Sequence, residues 1–376
     1  MKKFMQTHKW VKVGVIFLCV IFILLLTAVL FLKLWPAFGG RASAEDRKDY
    51  ERRAENYQDG KFYNDGDFQV VTETEQTDEH IMSSKGTKPE KELPVKTPSY
   101  DGELPEDEVQ VTWFGHSSLL LQMHGMNILI DPVFSERSSP VSFVGNKRFS
   151  HPPAGVADLP HIDLLVLSHD HYDHLDYNVI KEIDEKVDRY IAPLGVENHL
   201  ERWGVEKKKI QNMAWWEETT VNGLTIGCTP ARHYSGRSLD DRFATLWASW
   251  VFRDEYHKVF ESGDSGYGEH YKAIHDKYGD FDFIMTDCAQ YDVNWPEVHM
   301  FPEEAVKAAQ TLGAKAAMPV HWGAFTLANH AWDDSAERFV AAGEQTGLQV
   351  VTPQIGETMN LSHLGNCMER WWKDIQ

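Results

Sequence analysis

The stretch LLVLSHDHYDH, residues 164–174, decides how this chain is interpreted. Its first part is a continuous apolar run, which is typical of a β-strand covered on both faces. Three histidines and two aspartates follow at once, namely His169, Asp170, His171, Asp173 and His174. Imidazole and carboxylate groups in a loop after a strand are the donors from which metal sites are built. We therefore predict a metal site here and prefer it to an ordinary solvated loop.

Three further polar residues stand at the ends of strand-like runs downstream. His233 follows LTIGCTPA, Asp264 follows KVFESG, and His321 follows AAMPV. Each residue alone is more often structural than metal-binding. Together with His169, His171, Asp173 and His174 of the first loop they offer five histidines and two aspartates. This set suits a borderline metal such as zinc, with iron or manganese as alternatives.

Strand and helix patterns interleave on both sides of these residues. VQVTWF (109–114), SLLLQ (118–122) and NILI (127–130) are rich in strand formers. Helical patterns cover Asp176–Ile183, His270–Lys277, Pro302–Leu312 and Ser335–Glu344, and Pro302 followed by two glutamates is a good helix start. We predict one α/β (α+β) domain over residues 108–376.

The N-terminal part predicts a membrane anchor. Residues 13–32 carry no charge and span roughly 30 Å as a helix. Lysines dominate before this run, which favours a cytoplasmic segment 1–12 and a catalytic domain outside the cytoplasm. The alternative is a signal peptide cleaved near Ala42-Ser43-Ala44, although the apolar run is long for one. Residues 33–107 are predicted to form a polar linker or arm, with 71–96 as a tether or as an arm draped over the domain.

Charge and cysteine content exclude other classes of function. The chain has 37 basic and 57 acidic residues and a formal net charge of -20, which disfavours nucleic-acid binding. Its four cysteines form no CxxC pair and no zinc-finger pattern. Cys228 and Cys288, beside predicted strands, are expected to be small buried thiols.

HxHxDH at 169–174, followed by a single histidine, a Gly-Asp pair and a final histidine, resembles the metallo-β-lactamase superfamily. VTWFGHSS, DPVFSERSSP, TPARHYSGR, SGDSGY, HMFPEEAV and HWGAFTLAN are similar to N-acyl-phosphatidylethanolamine-hydrolysing phospholipases D and their bacterial relatives. The resemblance implies a four-layer αββα sandwich, preceded here by the predicted transmembrane helix. It also implies one metal on His169, His171 and His233, a second on Asp173, His174 and His321, and Asp264 as the bridge.

The resemblance further implies a role for His299, which is expected to contact the scissile group; the alternative is a histidine of a surface loop. Asp173, Asp264 and His299 are the predicted catalytic residues. His299, Trp295 and Phe325 are the predicted substrate contacts, and the other tryptophans are expected mainly in the core. Two zinc ions held together activate water near neutral pH. No Ser or Cys nucleophile is then needed.

The predicted reaction releases N-acylethanolamine and phosphatidic acid from N-acyl-phosphatidylethanolamine. The partners are therefore a membrane phospholipid as substrate and the bilayer through residues 13–32; nucleic acid is not expected, and a homodimer stays an open alternative. A lactonase, a β-lactamase-like enzyme or another ester hydrolase would use the same metal ligands. A metal-containing surface protein that binds lipid without turnover is the non-enzymatic alternative.

Overall fold

The computed structural model describes residues 2–72, 86–100 and 104–375. It begins with helix α1 (Lys2–Leu34). Within this helix, Trp10–Leu34 is long and apolar enough to cross a membrane, and none of it is buried against the rest of the chain. The span predicted at residues 13–32 lies inside this segment.

The chain after α1 packs onto the domain as an arm. It contains helix α2 (Ala44–Arg53) and a short hairpin of β1 (Tyr57–Gln58) and β2 (Lys61–Phe62). Ser43 and Asp46 cap α2 reciprocally, which satisfies two backbone donors at its start. Tyr50 and Phe62 are buried together with Leu194 and Trp247 of the domain. Half of the predicted tether at 71–96, namely residues 73–85, lies outside the described residues.

The first large sheet is built from the N-terminal half of the domain. Its strands β3 to β5 form an antiparallel meander, and β5 to β8 continue in parallel with helices α3 and α4 as connections. The bounds are β3 (Val109–Trp113), β4 (Leu119–Met123), β5 (Met126–Ile130), β6 (Ile162–Val166), α3 (Tyr177–Ile183), β7 (Val187–Pro193), α4 (Glu197–Trp203) and β8 (Ile210–Met213).

The second sheet repeats this plan with the following part of the chain. Strands β9 to β12 are antiparallel, and β12 to β15 are parallel with α5, α6 and α7 between them. The bounds are β9 (Glu218–Val221), β10 (Leu224–Thr229), β11 (Ser249–Arg253), β12 (Lys258–Glu261), α5 (His270–Tyr278), β13 (Phe283–Asp287), α6 (Pro302–Thr311), β14 (Ala316–Val320), α7 (Asp334–Thr346) and β15 (Gln349–Val350). Strand β16 (Thr358–Asn360) then returns to the first sheet and pairs with β3.

Alternating side chains of the strands divide the core into layers. In β4 and β5, Leu121 and Ile128 belong to the core between the sheets, whereas Leu120 and Leu129 pack under α3 and α4. Helices α5, α6 and α7 cover the outer face of the second sheet. Each fully buried leucine or isoleucine contributes about 1.5–3 kcal/mol relative to exposure. The architecture is the predicted αββα sandwich.

The predicted elements agree with the structure except for small shifts at their ends. The strand of the LLVLS run is Ile162–Val166, two residues earlier than its apolar letters suggest, because Ser168 N already donates to Asp131 in the loop. Cys228 and Cys288 are buried free thiols, as expected. Trp247 and Trp250 are core residues, and Trp216 is partly exposed.

Candidate metal centre

The seven residues predicted to bind metal come together at one edge of the two sheets. His169 to His174 lie in the loop between β6 and α3, and His321 follows β14 directly. His233 and Asp264 come after β10 and β12, two strands that run in the same direction because each is antiparallel to β11. Four segments that are distant in sequence thus supply one site.

Four donor atoms form the first group: Nε2 of His169, Nδ1 of His171, Nε2 of His233 and Oδ2 of Asp264. The His171 nitrogen lies 2.9 Å from that of His169 and 3.2 Å from that of His233. The Asp264 oxygen lies 3.7 Å from the other two nitrogens. Donors bound at about 2.0–2.1 Å in a tetrahedral zinc site are about 3.3 Å apart. The group therefore has the dimensions of a tetrahedral site for a divalent metal ion.

The second group contains Asp173, His174 and His321, with His116 beside them. Oδ1 of Asp264 lies 3.1 Å from Nε2 of His174 and 3.2 Å from Nδ1 of His321. Oδ2 of Asp173 lies 3.7 Å from Nε2 of His174. Asp264 therefore turns one oxygen to each group, which is the arrangement that its predicted bridging role needs.

The buried donor atoms of this site are not fully satisfied by one another. Nε2 of His321 is buried and has no hydrogen-bond partner, and the buried Nε2 of His174 and Oδ1 of Asp264 lie 3.1 Å from each other. A buried polar group without a partner costs about 1–3 kcal/mol. Cation binding removes that cost, and the fold's His/Asp groups are those of a divalent-metal site.

The electrostatics of the site keep the three histidines of the first group neutral. Burial lowers the pKa of His171 to about 4 and the pKa values of His169 and His233 well below their ordinary range. Neutral imidazole is the form that binds a metal. Burial raises the pKa of the Asp264 carboxyl to about 6, although His174 opposes this. Burial also acts to raise the pKa of Asp173, but His174 and His116 outweigh it, so this pKa is lowered.

Two carboxylate contacts that the sequence pattern did not predict hold the second group in place. Oδ2 of Asp131 accepts a hydrogen bond from Nδ1 of His174 over 2.7 Å, which leaves Nε2 for the cation. Nε2 of His116 lies 2.9 Å from Oδ2 of Asp173. Asp131 follows β5 and His116 follows β3, so the strand-end rule used for His321 would have found both. Such outer contacts orient the ligands of metal sites.

The N-terminal arm also reaches the metal centre. Asn64 donates from Nδ2 to the carbonyl of His233 over 2.7 Å and accepts from its N–H over 3.1 Å. The Nδ1 of His233 in turn faces the carbonyl of Val298 at 3.1 Å, which directs Nε2 into the first group. The sequence gives no signal for this role of Asn64, because its partner is remote in the chain.

His299 lies at the mouth of the site and is paired with Asp287. Its Nδ1 is 2.8 Å from Oδ2 of Asp287, and its ring stacks on that of His321 with centroids 5.0 Å apart. Burial opposes a charge on His299, but the Asp287 carboxylate outweighs burial and raises the pKa of the imidazole. His299 is thus not a loop histidine on the surface.

Both groups open into a cavity of about 540 Å³. Its apolar wall is formed by Val70 and Val71 of the arm and by Trp295, Val298 and Leu327. Trp295, one of the predicted substrate contacts, lines this cavity. Phe325, another predicted contact, does not line it. Its side chain is 1% exposed and packs edge-on against His116, because the loop after β14 turns it into the core.

Comparison with known proteins agrees with this geometry. Residues 126–322 match the family described as beta-lactamase superfamily domain. An uncharacterized protein of Mycobacterium tuberculosis is 37% identical over 90% of this chain and 92% of its own. N-acyl-phosphatidylethanolamine-hydrolyzing phospholipase D 1 of Caenorhabditis elegans is 33% identical over 62% of this chain and 69% of its own. The structure of a possible metal-dependent hydrolase from Veillonella parvula superposes with a TM-score of 0.54 at 17% identity, covering 67% of this chain and 99% of that one.

Proposed function

Because the chain belongs to the β-lactamase superfamily of metal-dependent hydrolases, we propose that it cleaves a lipid phosphodiester at a two-zinc centre. The substrate proposed is N-acyl-phosphatidylethanolamine, and the reaction is of the phospholipase D type. The observation that carries the proposal is the single cavity that joins both donor groups to an apolar wall.

The shape and charge of the cavity suit this substrate. Val70, Val71 and Leu327 offer an apolar surface for an acyl chain beside the metal centre. Arg242 lines the same cavity, is exposed, and has no carboxylate partner within the described residues. Its guanidinium is suited to a phosphate oxygen. The Caenorhabditis elegans relative, which is named for this activity, adds support.

The metals proposed are two zinc ions, on the seven residues His169, His171, Asp173, His174, His233, Asp264 and His321. Histidine-rich donor sets suit zinc, with iron or manganese as alternatives. When bound, two such ions lower the pKa of water and neutralise negative charge that develops on the phosphoryl oxygens. This is the chemistry that hydrolysis of a diester at neutral pH requires.

The protein's own residues complete the reaction. Asp173 and Asp264 orient the attacking water through their carboxylate oxygens. The water oxygen forms a new bond to phosphorus and releases one proton to solvent, from which His299 is later reprotonated, and the bond from phosphorus to the ethanolamine oxygen breaks. His299, held at Nδ1 by Asp287 over 2.8 Å, contacts the scissile group and supplies a proton from Nε2 to the leaving oxygen. The products are phosphatidic acid and N-acylethanolamine.

The anchor proposed for this enzyme is α1. Trp10 and Trp35 stand at the two ends of the apolar segment, 69% and 42% exposed. They are about 37 Å apart along a helix, the separation of the two interfaces of a bilayer. Tryptophans favour those interfaces. Residues 1–12 would then lie in the cytoplasm, 13–32 would cross the membrane, and the hydrolase domain 108–376 would lie outside the cytoplasm, joined by the arm.

The experiment is mass spectrometry of the products formed by the full-length, zinc-loaded protein. Vesicles containing N-acyl-phosphatidylethanolamine are offered in parallel with a lactone and with a simple phosphodiester, with and without chelator. We expect N-acylethanolamine and phosphatidic acid in equal amounts, abolished by the chelator. The Asp163→Asn variant, altered outside the metal centre, should match the wild type.

Each alternative has its own result in this panel. Cleavage of the lactone without cleavage of the phospholipid would replace the proposal by a lactonase of the same fold. Lipid binding without any product from the three substrates would indicate the non-catalytic surface protein.

A further inference from the structure

An uncharged apolar tip projects from the loop between β5 and β6. The tip, residues 138–146, reads SSPVSFVGN and contains no charged side chain. Phe143 and Val144 at its end are 77% and 57% exposed. Outside α1 and the Trp35 that follows it, no other two adjacent large apolar residues are both exposed in the described part of the chain. An exposed apolar pair of this kind indicates a contact surface.

The tip is held in one shape by its own base. Arg137 donates from Nε to the carbonyl of Ser142 over 3.0 Å and from Nη1 to that of Gly145 over 2.6 Å. Ser138 N donates to the carbonyl of Asn146 over 3.2 Å and closes the base. Because the tip is already ordered, little conformational entropy is lost when it binds to another surface.

The tip lies beside the end of the apolar helix. Nε1 of Trp35 donates to the carbonyl of Pro140 over 2.6 Å. Phe143 is three residues further on and so at most roughly 10 Å away along the chain. From the other side, Arg202 donates to the carbonyl of Lys33 over 2.9 Å, and Nε1 of Trp203 donates to that of Pro36 over 2.7 Å. These contacts fix the end of α1 on the domain next to the tip.

The same loop leads to the cavity. Ser138 and Asn146, the two ends of the tip, both line the cavity that contains the metal centre. The mouth of the cavity and the end of α1 therefore lie at the two sides of one short, rigid loop.

We propose that Phe143 and Val144 insert into the lipid bilayer that α1 crosses, so that the mouth of the cavity is held against the membrane surface. The occupant of this surface is lipid, because the tip is continuous with the end of the apolar helix. The inference rests on the membrane anchor of the proposed function but not on the identity of the substrate.

The test uses an environment-sensitive fluorophore on single cysteines of the full chain, reconstituted in phosphatidylcholine vesicles with or without nitroxide-labelled acyl chains. Native Cys19 is exposed on α1, whereas the other three cysteines are buried and do not compete for label. The second site is Val144→Cys and the third is Tyr256→Cys, both in a Cys19→Ser background. Tyr256 is half exposed and serves as the matched surface control. It precedes β12, whereas Asp264 follows β12, so the control lies at the other end of this strand from the metal centre.

We expect at least twofold quenching of the labels at positions 19 and 144, and none at position 256. Quenching at 19 with position 144 behaving like position 256 would overturn the docking of the tip while the anchor stands. No quenching at 19 would overturn the anchor and the docking together. Equal quenching at all three positions would show that the domain contacts lipid without a preferred side facing the membrane, and this would also overturn the inference.

Discussion

Replacement of Asp131 by asparagine tests how the second cation is held. The carboxylate accepts three hydrogen bonds, from Ser168 N over 2.8 Å, from the Ser168 hydroxyl, and from Nδ1 of His174 over 2.7 Å. In Asp131→Asn an amide oxygen still accepts from Ser168 N, but an NH2 group faces Nδ1 of His174. Two donors then oppose each other, and the imidazole must move its proton to Nε2 or lose the contact.

The size of the effect follows from that single contact. A hydrogen bond to a charged partner contributes about 1.5–3 kcal/mol. Loss of such an outer contact weakens metal binding about 10–100-fold, which corresponds to about 1.4–2.8 kcal/mol. We therefore expect the affinity for one of the two zinc ions to fall by about 10–100-fold, while the other ion, on His169, His171 and His233, is bound nearly as before.

Folding should survive this change. Glu261 is buried. Its burial, and to a smaller extent the nearby charge of Asp131, raise the pKa of the Glu261 carboxyl well above the ordinary value. Removing the Asp131 charge relieves that repulsion and offsets part of the lost hydrogen bonding. Circular dichroism should show an unchanged secondary structure.

The assay is competition with a chromophoric chelator, titrated through both binding steps. Asp280→Asn is the matched control, because it makes the same change of charge at an exposed aspartate paired with His275, outside the candidate metal groups of the described residues. Wild-type affinity for both ions in folded Asp131→Asn would refute the role assigned to Asp131. An equal loss of affinity in Asp280→Asn would show that the effect comes from net charge.

Three further changes test other parts of the site. Asp264→Asn should lower kcat by at least about 100-fold with the fold retained, since an amide offers one oxygen where the carboxylate faces both groups; a wild-type rate would contradict the bridging role. Asn64→Ala removes two hydrogen bonds to His233, about 2 kcal/mol in all, so Tm should fall by about 4–8 °C in calorimetry, unlike in the surface variant Asn178→Ala. Burial lowers the pKa of His270 to about 3 in the folded chain. Because the unfolded chain then binds more protons, wild-type stability should fall as pH drops from about 6.5 towards 3, and equal pH slopes of Tm in wild type and His270→Gln would contradict this.

The part of this site that could be predicted is the part that depends on strand ends. His169 to His174 follow a buried strand, and His233, Asp264 and His321 follow three others, so the αββα sandwich alone brings them to one edge. Asp131 and His116 obey the same rule, although the sequence-based prediction did not include them.

Other features depend on contacts that no local pattern records. Asn64 holds His233 from an arm that reads as a polar linker, and Val70 and Val71 of that arm line the cavity. Phe325 shows the reverse case, since the apolar residue predicted to face a substrate packs behind His116. Side-chain direction in a loop is set by tertiary packing, which spacing along the chain does not encode.

The most direct test of the two-cation site is an anomalous difference map at the zinc edge, from crystals of the full-length protein grown with zinc. We predict two peaks about 3.5–4 Å apart, each about 2.0–2.2 Å from its donors, with Asp264 between them. A single peak, or zinc bound only at the exposed His161, Asp163 and Asp188 group, would contradict the two-metal centre.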